Sequence, residues 1–126
     1  RTAAAAGVEA VLLSPTCADA FAPKVLRAGM GAHFRVPLAS LSWDDIQQYC
    51  TGKPVYIADG NGETRYDEAN WSDEWVLIIG SEAHGVGHDA RSLATQRIRI
   101  PMAAETESLN AAIAAAVILF EAVKHK

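Results

Sequence analysis

With 126 residues, half of them hydrophobic and 21% charged, the chain has the composition of one globular domain and not that of a disordered segment. Its formal net charge of −4 excludes a surface that is basic throughout, so contact with nucleic acid would need a local patch, a partner chain or a missing segment. No apolar run is long enough to span a bilayer, and no signal peptide is recognisable.

Short apolar runs alternate with helix-prone stretches along the whole chain. The predicted elements, in order, are helix 1–6, strand 8–13, helix 18–30, strand 33–36, helix 42–50, strand 54–58, an irregular surface loop 63–75, strand 76–79, helix 89–93, strand 97–100 and helix 109–124. This alternation predicts an α/β fold with a mostly parallel sheet and helices on both faces.

Residues 1–6 (RTAAAA) have the composition of the middle of a helix, and no initiator Met precedes Arg1. We therefore expect one domain over residues 1–126 that lacks its upstream part. Cys17 and Cys50 are far apart and show no metal-binding spacing, so we expect two reduced cysteines of an intracellular protein and no disulfide.

The strand at 76–79 is expected to be central in the sheet and buried on both faces, because it contains four consecutive apolar residues. The loop that follows it to His88 contains three glycines, a Ser, a Glu and two His. Open α/β sheets bind ligands where such strands end. An ordinary strand-to-helix turn is the alternative, and the Gly-x-x-x-x-Gly spacing alone would favour that alternative.

A second segment adds to this signal. Residues 98–102 (IRIPM) and 107–114 (ESLNAAIA) form a strand, a tight loop and a helix start. Ser108 and Asn110 fall where the first free N–H groups of the last helix should lie. Taken alone, they would indicate only N-capping.

The combination of residues 80–85 (GSEAHG), 100–102 (IPM) and 107–110 (ESLN), in this order, resembles motifs two and three of the SpoU-type (TrmH-like) branch of the SPOUT RNA methyltransferases. Ser14-Pro15, followed by PKVLRA and GAHF at residues 23–28 and 31–34, is similar to the middle region of that family. Residues 1–3 (RTA) are similar to the end of its motif one, whose Asn and preceding strand are absent.

The resemblance implies an α/β domain with a deep trefoil knot at its C-terminal end. It also implies binding of S-adenosylmethionine, largely through backbone groups, and methyl transfer to a ribose 2′-hydroxyl of tRNA or rRNA. The implied cofactor-binding residues are Gly80, Ser81, Glu82, Gly85, Ile100, Met102, Ser108 and Leu109.

The implied catalytic residues are Arg1, Glu82, Ser108 and Asn110. Arg1 matches the catalytic Arg of the family, and we favour phosphate anchoring and hydroxyl orientation because a guanidinium stays protonated. Glu82 would orient groups of motif one, with an exposed loop acid as the alternative. Ser108 and Asn110 would shape the pocket and the wall of the active site.

Two further sets of polar residues are considered as binding sites, one for phosphate and one for metal. Lys24, Arg27 and Arg35 could form a phosphate-binding strip, or they could be solvated or dimer-interface charges. His84 and His88 lack a third well-spaced ligand, so we predict no zinc site, and the chemistry needs no metal.

The resemblance further implies a homodimer with the last helix in the interface. Ile113, Val117 and Phe120 would suit such a contact, and they would suit an intramolecular core equally well. The expected location is the cytoplasm or an organellar matrix, with no membrane association.

Two other hypotheses stay open. A catalytically inactive relative could keep the dimer and the cofactor pocket, and the missing start of motif one puts activity of this segment by itself in question. An unrelated nucleotide-binding α/β module could use the Gly80 loop for phosphate, although the chain has no Gly-x-Gly-x-x-Gly or Walker spacing.

Overall fold

The computed structural model of the chain describes residues 1–80, 86–104 and 108–125. The chain divides into two compact units, Arg1–Tyr49 and Cys50–Lys126. The predictions at Ser81, Glu82, His84 and Gly85 lie outside the described residues.

Elements of the first unit follow in the order α1 (Thr2–Ala6), β1 (Val11–Leu13), α2 (Pro23–Gly29), a 3-10 helix (Ala32–Phe34), β2 (Leu38–Ser40) and α3 (Trp43–Cys50). β1 and β2 pair in parallel, with Val11 opposite Leu38. α1 ends at Gly7, whose φ of 76° is left-handed, and the side chain of Ser42 accepts a hydrogen bond from the Asp45 N–H at 3.2 Å. Both helix ends lie where the predicted ranges 1–6 and 42–50 put them, and both have the residue types that local sequence favours there.

The strand predicted at residues 33–36 is wrong. Met30 and Gly31 both have positive φ, 50° and 86°, so the chain turns sharply before it reaches this segment. The backbone oxygen of Ala32 then accepts hydrogen bonds from Arg35 at 2.9 Å and Val36 at 3.2 Å, which forms a 3-10 turn. The strand begins only after Pro37. Helix α2 likewise begins at Pro23 and not at residue 18, because proline suits the first helical position.

In the second unit the elements are β3 (Val55–Ala58), β4 (Thr64–Arg65), a 3-10 helix (Tyr66–Glu68), β5 (Val76–Ile78), α4 (His88–Leu93), β6 (Gln96–Arg99), α5 (Ala111–Ala122) and a last 3-10 helix (Val123–His125). The strands form a four-stranded sheet in the order β4-β6-β3-β5, and every pairing is parallel. The predicted α/β class with parallel pairing is confirmed, although the strands fall into two sheets.

The central strand is β3 and not β5. Val55, Tyr56 and Ile57 are at most 3% exposed, and β3 lies between β5 and β6. In the described part of the chain β5 stands at the end of the strand order and its residues are only half-buried. The expectation that the strand at 76–79 is central and buried on both faces is therefore wrong. An apolar run indicates that a strand is buried, but it does not indicate which strands lie beside it in the sheet.

The core of the second unit forms around Trp71, whose exposed fraction is 2%. Its ring packs edge-on against Tyr56 and Trp75, with centroid distances of 4.8 and 5.1 Å. Its indole N–H donates to the backbone oxygen of Tyr66 at 2.8 Å. The stretch 63–75, predicted to be an irregular surface loop, thus contains a strand, a 3-10 helix and a core residue. The prediction failed because two tryptophans in polar surroundings give no periodicity.

Helix α5 buries a different face from the one predicted. Ile118, Leu119 and Ala122 are at most 7% exposed, whereas Ile113 and Phe120 are 54% and 46% exposed. The core interpretation of Ile113 and Phe120 is therefore wrong within this chain. Over the residues that the structure describes, no helix combines the length and the apolar character needed to cross a bilayer.

Both cysteines are free, and they differ in environment. Cys17 is exposed, whereas burial raises the pKa of the Cys50 thiol above its ordinary value, an effect that Lys53 partly offsets. We expect iodoacetamide at mildly alkaline pH to alkylate Cys17 well before Cys50, because the thiolate is the reactive form. Peptide mass spectrometry over a time course measures this order. Cys17→Ser should remove the fast phase, and equal rates for the two thiols would contradict the assignment.

Candidate functional site

A cavity of about 640 Å³ opens in the second unit where β3, β5 and β6 end. Its walls come from Ala58 at the end of β3, from Ile79 and Gly80 after β5, from Ile98 and the residues after β6, and from α5. Parallel strands place ligand sites at this edge because their carboxyl ends meet there. The volume lies within the ~300–1,000 Å³ usual for small-molecule sites.

The loops singled out in the sequence converge on this cavity. Five predicted cofactor-binding residues line it: Gly80, Ile100, Met102, Ser108 and Leu109. Two predicted catalytic residues also line it, Asn110 and again Ser108. Ser81, Glu82 and Gly85 lie outside the described residues. Three loops that lie about 10 to 20 residues apart in the sequence therefore line one cavity. The roles of the individual residues stay predictions.

The lining of the cavity includes apolar side chains and a glycine. Ile98 and Ile118 are completely buried, and Ala58 and Ala114 add small side chains. Gly80 presents no side chain at all, so a ligand could approach its peptide groups closely. Such a lining suits a flat apolar group with polar edges that hydrogen-bond to backbone.

Asn110 caps helix α5 beside the cavity. Its side-chain oxygen accepts hydrogen bonds from the N–H groups of Ala112 at 2.8 Å and Ile113 at 3.3 Å. N-capping, the alternative considered from the sequence, is thus a role that this residue has. The cap also fixes the start of α5 where Ser108 and Leu109 line the cavity.

We expect Asn110→Ala to lower the free energy of unfolding by about 1 kcal/mol, the usual cost of a lost N-cap. Asn110→Asp should retain most of the stability because a carboxylate also accepts these two bonds. Urea unfolding followed by circular dichroism measures both variants. A loss of stability in Asn110→Asp as large as that in Asn110→Ala would show that capping is not the contribution of this side chain.

Sequence reasoning missed a charged group in the lining of the cavity. Asp59 and Gly60 follow β3 directly and line the cavity, and Arg91 of α4 joins them. The Asp59 carboxylate is 3.7 Å from the guanidinium groups of both Arg91 and Arg97. Residues 59–62 (DGNG) form a turn in which the Gly62 N–H donates to the Asp59 backbone oxygen at 2.8 Å. The missed signal was an acid placed directly after a buried parallel strand.

Arg97 is held from its other side by Glu63. The Glu63 carboxylate accepts from the backbone N–H and from Nε of Arg97, both at 3.2 Å. Hydrogen bonds from its own backbone N–H and from that of Arg97 lower the pKa of Glu63 below its ordinary value. The Glu63 carboxylate therefore stays charged to a lower pH than an ordinary glutamate does, which maintains its ion pair with Arg97.

The other described residues that were predicted for the site do not belong to the lining of this cavity. Arg1 is exposed at the N-terminal end of α1 in the first unit, and its catalytic role stays a prediction. Lys24, Arg27 and Arg35 are also exposed residues of the first unit. His88 begins α4. Among residues 1–80, 86–104 and 108–125, no three His, Cys, Asp or Glu side chains are grouped so that they could hold a metal ion.

Comparison with known proteins gives a consistent result. The sequence model of the family described as "SpoU rRNA Methylase family" matches residues 1–120. "rRNA methyltransferase 3A, mitochondrial" from Danio rerio is 37% identical, and its alignment covers 96% of this chain and 39% of the relative. "23S rRNA (guanosine(2553)-2′-O)-methyltransferase RlmP" from Bacillus subtilis is 34% identical over 95% of this chain and 49% of the relative.

Solved structures give the same result. The AdoMet-bound rRNA methyltransferase from Sinorhizobium meliloti superposes with a TM-score of 0.90 at 34% identity, over 99% of this chain and 49% of that one. The chain therefore spans between about two fifths and one half of the length of these three relatives.

Proposed function

This chain belongs to the SpoU rRNA Methylase family, and we propose that it takes part in methyl transfer from S-adenosylmethionine to a ribose 2′-hydroxyl of ribosomal RNA. The observation that carries the proposal is the convergence of Gly80, Ile100 and Leu109 on one cavity. The relatives support both the acceptor and the methyl donor of this reaction. RlmP is a 2′-O-methyltransferase of 23S rRNA, and the S. meliloti structure holds AdoMet. tRNA, the other substrate that the resemblance implies, has less support from these names.

The residues present fit this ligand. The apolar side chains of Ile98 and Ile118 would contact an adenine ring, and the backbone at Gly80, Ile100 and Leu109, which lines the same cavity, would hydrogen-bond to its polar edge. When bound, S-adenosylmethionine supplies a methyl group that is already activated by its sulfonium. The task left to the chain is therefore alignment of the ribose oxygen with that methyl group, and positioning of this kind can lower a barrier by up to about 7–11 kcal/mol.

Other residues would act on the RNA. Arg1 would anchor a phosphate and orient the hydroxyl, since its guanidinium does not serve as an ordinary base. Glu82 would orient the motif-one groups, and Ser108 and Asn110 would form the wall beside the ribose. Proton loss from the hydroxyl needs assistance because a ribose hydroxyl is a weak acid.

We assign three finer features to this proposal. The first is a C-terminal deep trefoil knot with helices on both faces of the sheet. The second is a homodimer that uses α5, supported by the exposed fractions of Ile113 and Phe120, 54% and 46%. The third is a location in the cytoplasm or an organellar matrix, where the name of the D. rerio relative favours mitochondria.

The experiment is methyl transfer by the protein that carries this chain. Radioactive methyl incorporation from S-adenosylmethionine into ribosomal RNA is measured for the natural protein, for Arg1→Ala and for Arg65→Ala. Arg65 is a matched control because it pairs with Asp67 and does not line the cavity. We expect incorporation that only Arg1→Ala abolishes. Cofactor binding without incorporation would identify an inactive relative, and tight binding of ATP or NAD in its place would support the unrelated nucleotide-binding module.

A further inference from the structure

We propose that residues 20–36, here termed the α2 corner, bind a single-stranded segment of the RNA substrate, with a base stacked on Phe34 and phosphates paired with Lys24, Arg27 and Arg35. The inference rests on the proposed function and adds to it a place where RNA is held. The α2 corner consists of α2, the 3-10 helix Ala32–Phe34 and the residues that flank them.

Phe34 is the most exposed large apolar side chain in the described part of the chain, at 92%. Its backbone is nevertheless well anchored. Ala32 and Val36 on either side are 3% and 8% exposed, and the Phe34 N–H donates to the Gly31 oxygen at 3.1 Å. A rigid backbone thus presents an aromatic ring to solvent. An aromatic ring held out in this way is what stacking on an unpaired base requires.

A second ring in the α2 corner is also held in place. Phe21, 58% exposed, contacts the His33 imidazole with ring centroids 5.5 Å apart. His33 is fixed by its hydrogen bond with the Ala20 oxygen at 2.7 Å. It also lies so close to Gly29 that a Cβ at that position would come within 2.8 Å of the imidazole. The segment before α2 is therefore tied to the 3-10 helix after it.

The charge of the α2 corner is opposite to that of the chain. Residues 20–36 contain Lys24, Arg27 and Arg35 and no acid, whereas the whole chain has a net charge of −4. All three cations are exposed, and none of them forms an ion pair with a carboxylate of the described residues. Asp19, which adjoins the α2 corner, instead accepts from the Phe21 N–H at 2.9 Å. Cations without a carboxylate partner attract phosphates and release counterions when they bind them.

These charges favour RNA over a second copy of the chain as the occupant. A two-fold contact places the same patch of both subunits together, so three cations would face three cations. RNA instead provides phosphates for the cations and bases for the rings. Proteins that bind single strands combine aromatic stacking with a basic surface in this manner.

The test is binding of a fluorescently labelled single-stranded oligouridine to the protein, followed by anisotropy at several salt concentrations. We expect Phe34→Ala to weaken binding by about 5- to 150-fold, the range for loss of one stacked base. Phe34→Trp should restore it. Lys24→Ala should reduce the slope of log affinity against log salt by about 0.7, the value for one phosphate contact of a single strand. Lys124→Ala, an exposed cation outside the α2 corner, should leave the affinity unchanged.

Three further measurements distinguish the possible explanations of these results. Light scattering reports the oligomeric state, and a subunit that dissociates in Phe34→Ala would show an interface between copies and overturn the proposal. Unchanged RNA affinity in Phe34→Ala, or no binding by the natural protein, would overturn it as well. Calorimetry with S-adenosylmethionine and methyl transfer to ribosomal RNA test the proposed function separately. If both succeed while Phe34→Ala binds RNA normally, only the role of the α2 corner fails.

Discussion

Replacement of Ala114 by Phe is expected to weaken S-adenosylmethionine binding by at least about 100-fold, which corresponds to ~2.7 kcal/mol. Ala114 lines the cavity from α5, together with the loops that carry Gly80 and Ile100. An added phenyl ring would occupy space that the ligand needs, and the completely buried Ile98 and Ile118 leave no room for it to retreat. Isothermal calorimetry on the protein that carries this chain gives the affinity.

Ala112 provides the matched control. It lies on the same helix two residues earlier, is exposed and does not line the cavity. Ala112→Phe should bind the cofactor normally. Ala114→Leu should show an intermediate loss, which keeps the test valid if the larger variant is poorly folded by circular dichroism. Normal affinity in a folded Ala114→Phe would show that the cofactor binds elsewhere.

Trp71→Ala is expected to lower the free energy of unfolding by about 3–5 kcal/mol, as large-to-small changes at a buried aromatic residue do. The change would remove the edge-on contacts with Tyr56 and Trp75 and open a cavity beside Ile98 and Ile118. It would also leave the backbone oxygen of Tyr66 without the indole N–H that donates to it at 2.8 Å. Urea unfolding followed by circular dichroism measures the loss.

Two variants separate the contributions. Trp71→Phe keeps an aromatic ring and removes the indole donor, so we expect an intermediate loss. Phe34→Ala removes a ring that is 92% exposed and should change stability by less than about 0.5 kcal/mol. A similar loss in Phe34→Ala and Trp71→Ala would contradict the assignment of the core to Trp71.

The cavity was predictable in part. Gly80, Ile100 and Leu109 could be identified because each belongs to a short motif whose residues are neighbours in sequence. Asp59 could not be identified in this way, because its place in the lining of the same cavity depends on the pairing of β3 with β6. The Asp59 N–H donates to the Ile98 oxygen at 2.8 Å, a contact between residues almost 40 positions apart. A turn motif gives no information about such a partner.

The sequence by itself determined the features that depend on neighbouring residues. Gly7 ends α1, Ser42 and Asn110 cap α3 and α5, and alternating helices and strands produce parallel pairing. Hydrogen bonds between residues only a few positions apart set the three helix ends, so local residue types suffice to predict them. The parallel pairing follows from the order of the elements, because a helix between two strands returns the chain to the same end of the sheet.

Only the tertiary structure decided which strand is central, which face of α5 is buried and that Trp71 belongs to the core. Each of these depends on contacts between distant segments, such as the Thr95 hydroxyl that donates to the Val55 oxygen at 3.0 Å across 40 positions. Burial is a property of the assembled surfaces, and hydrophobicity along the chain does not specify which surfaces meet.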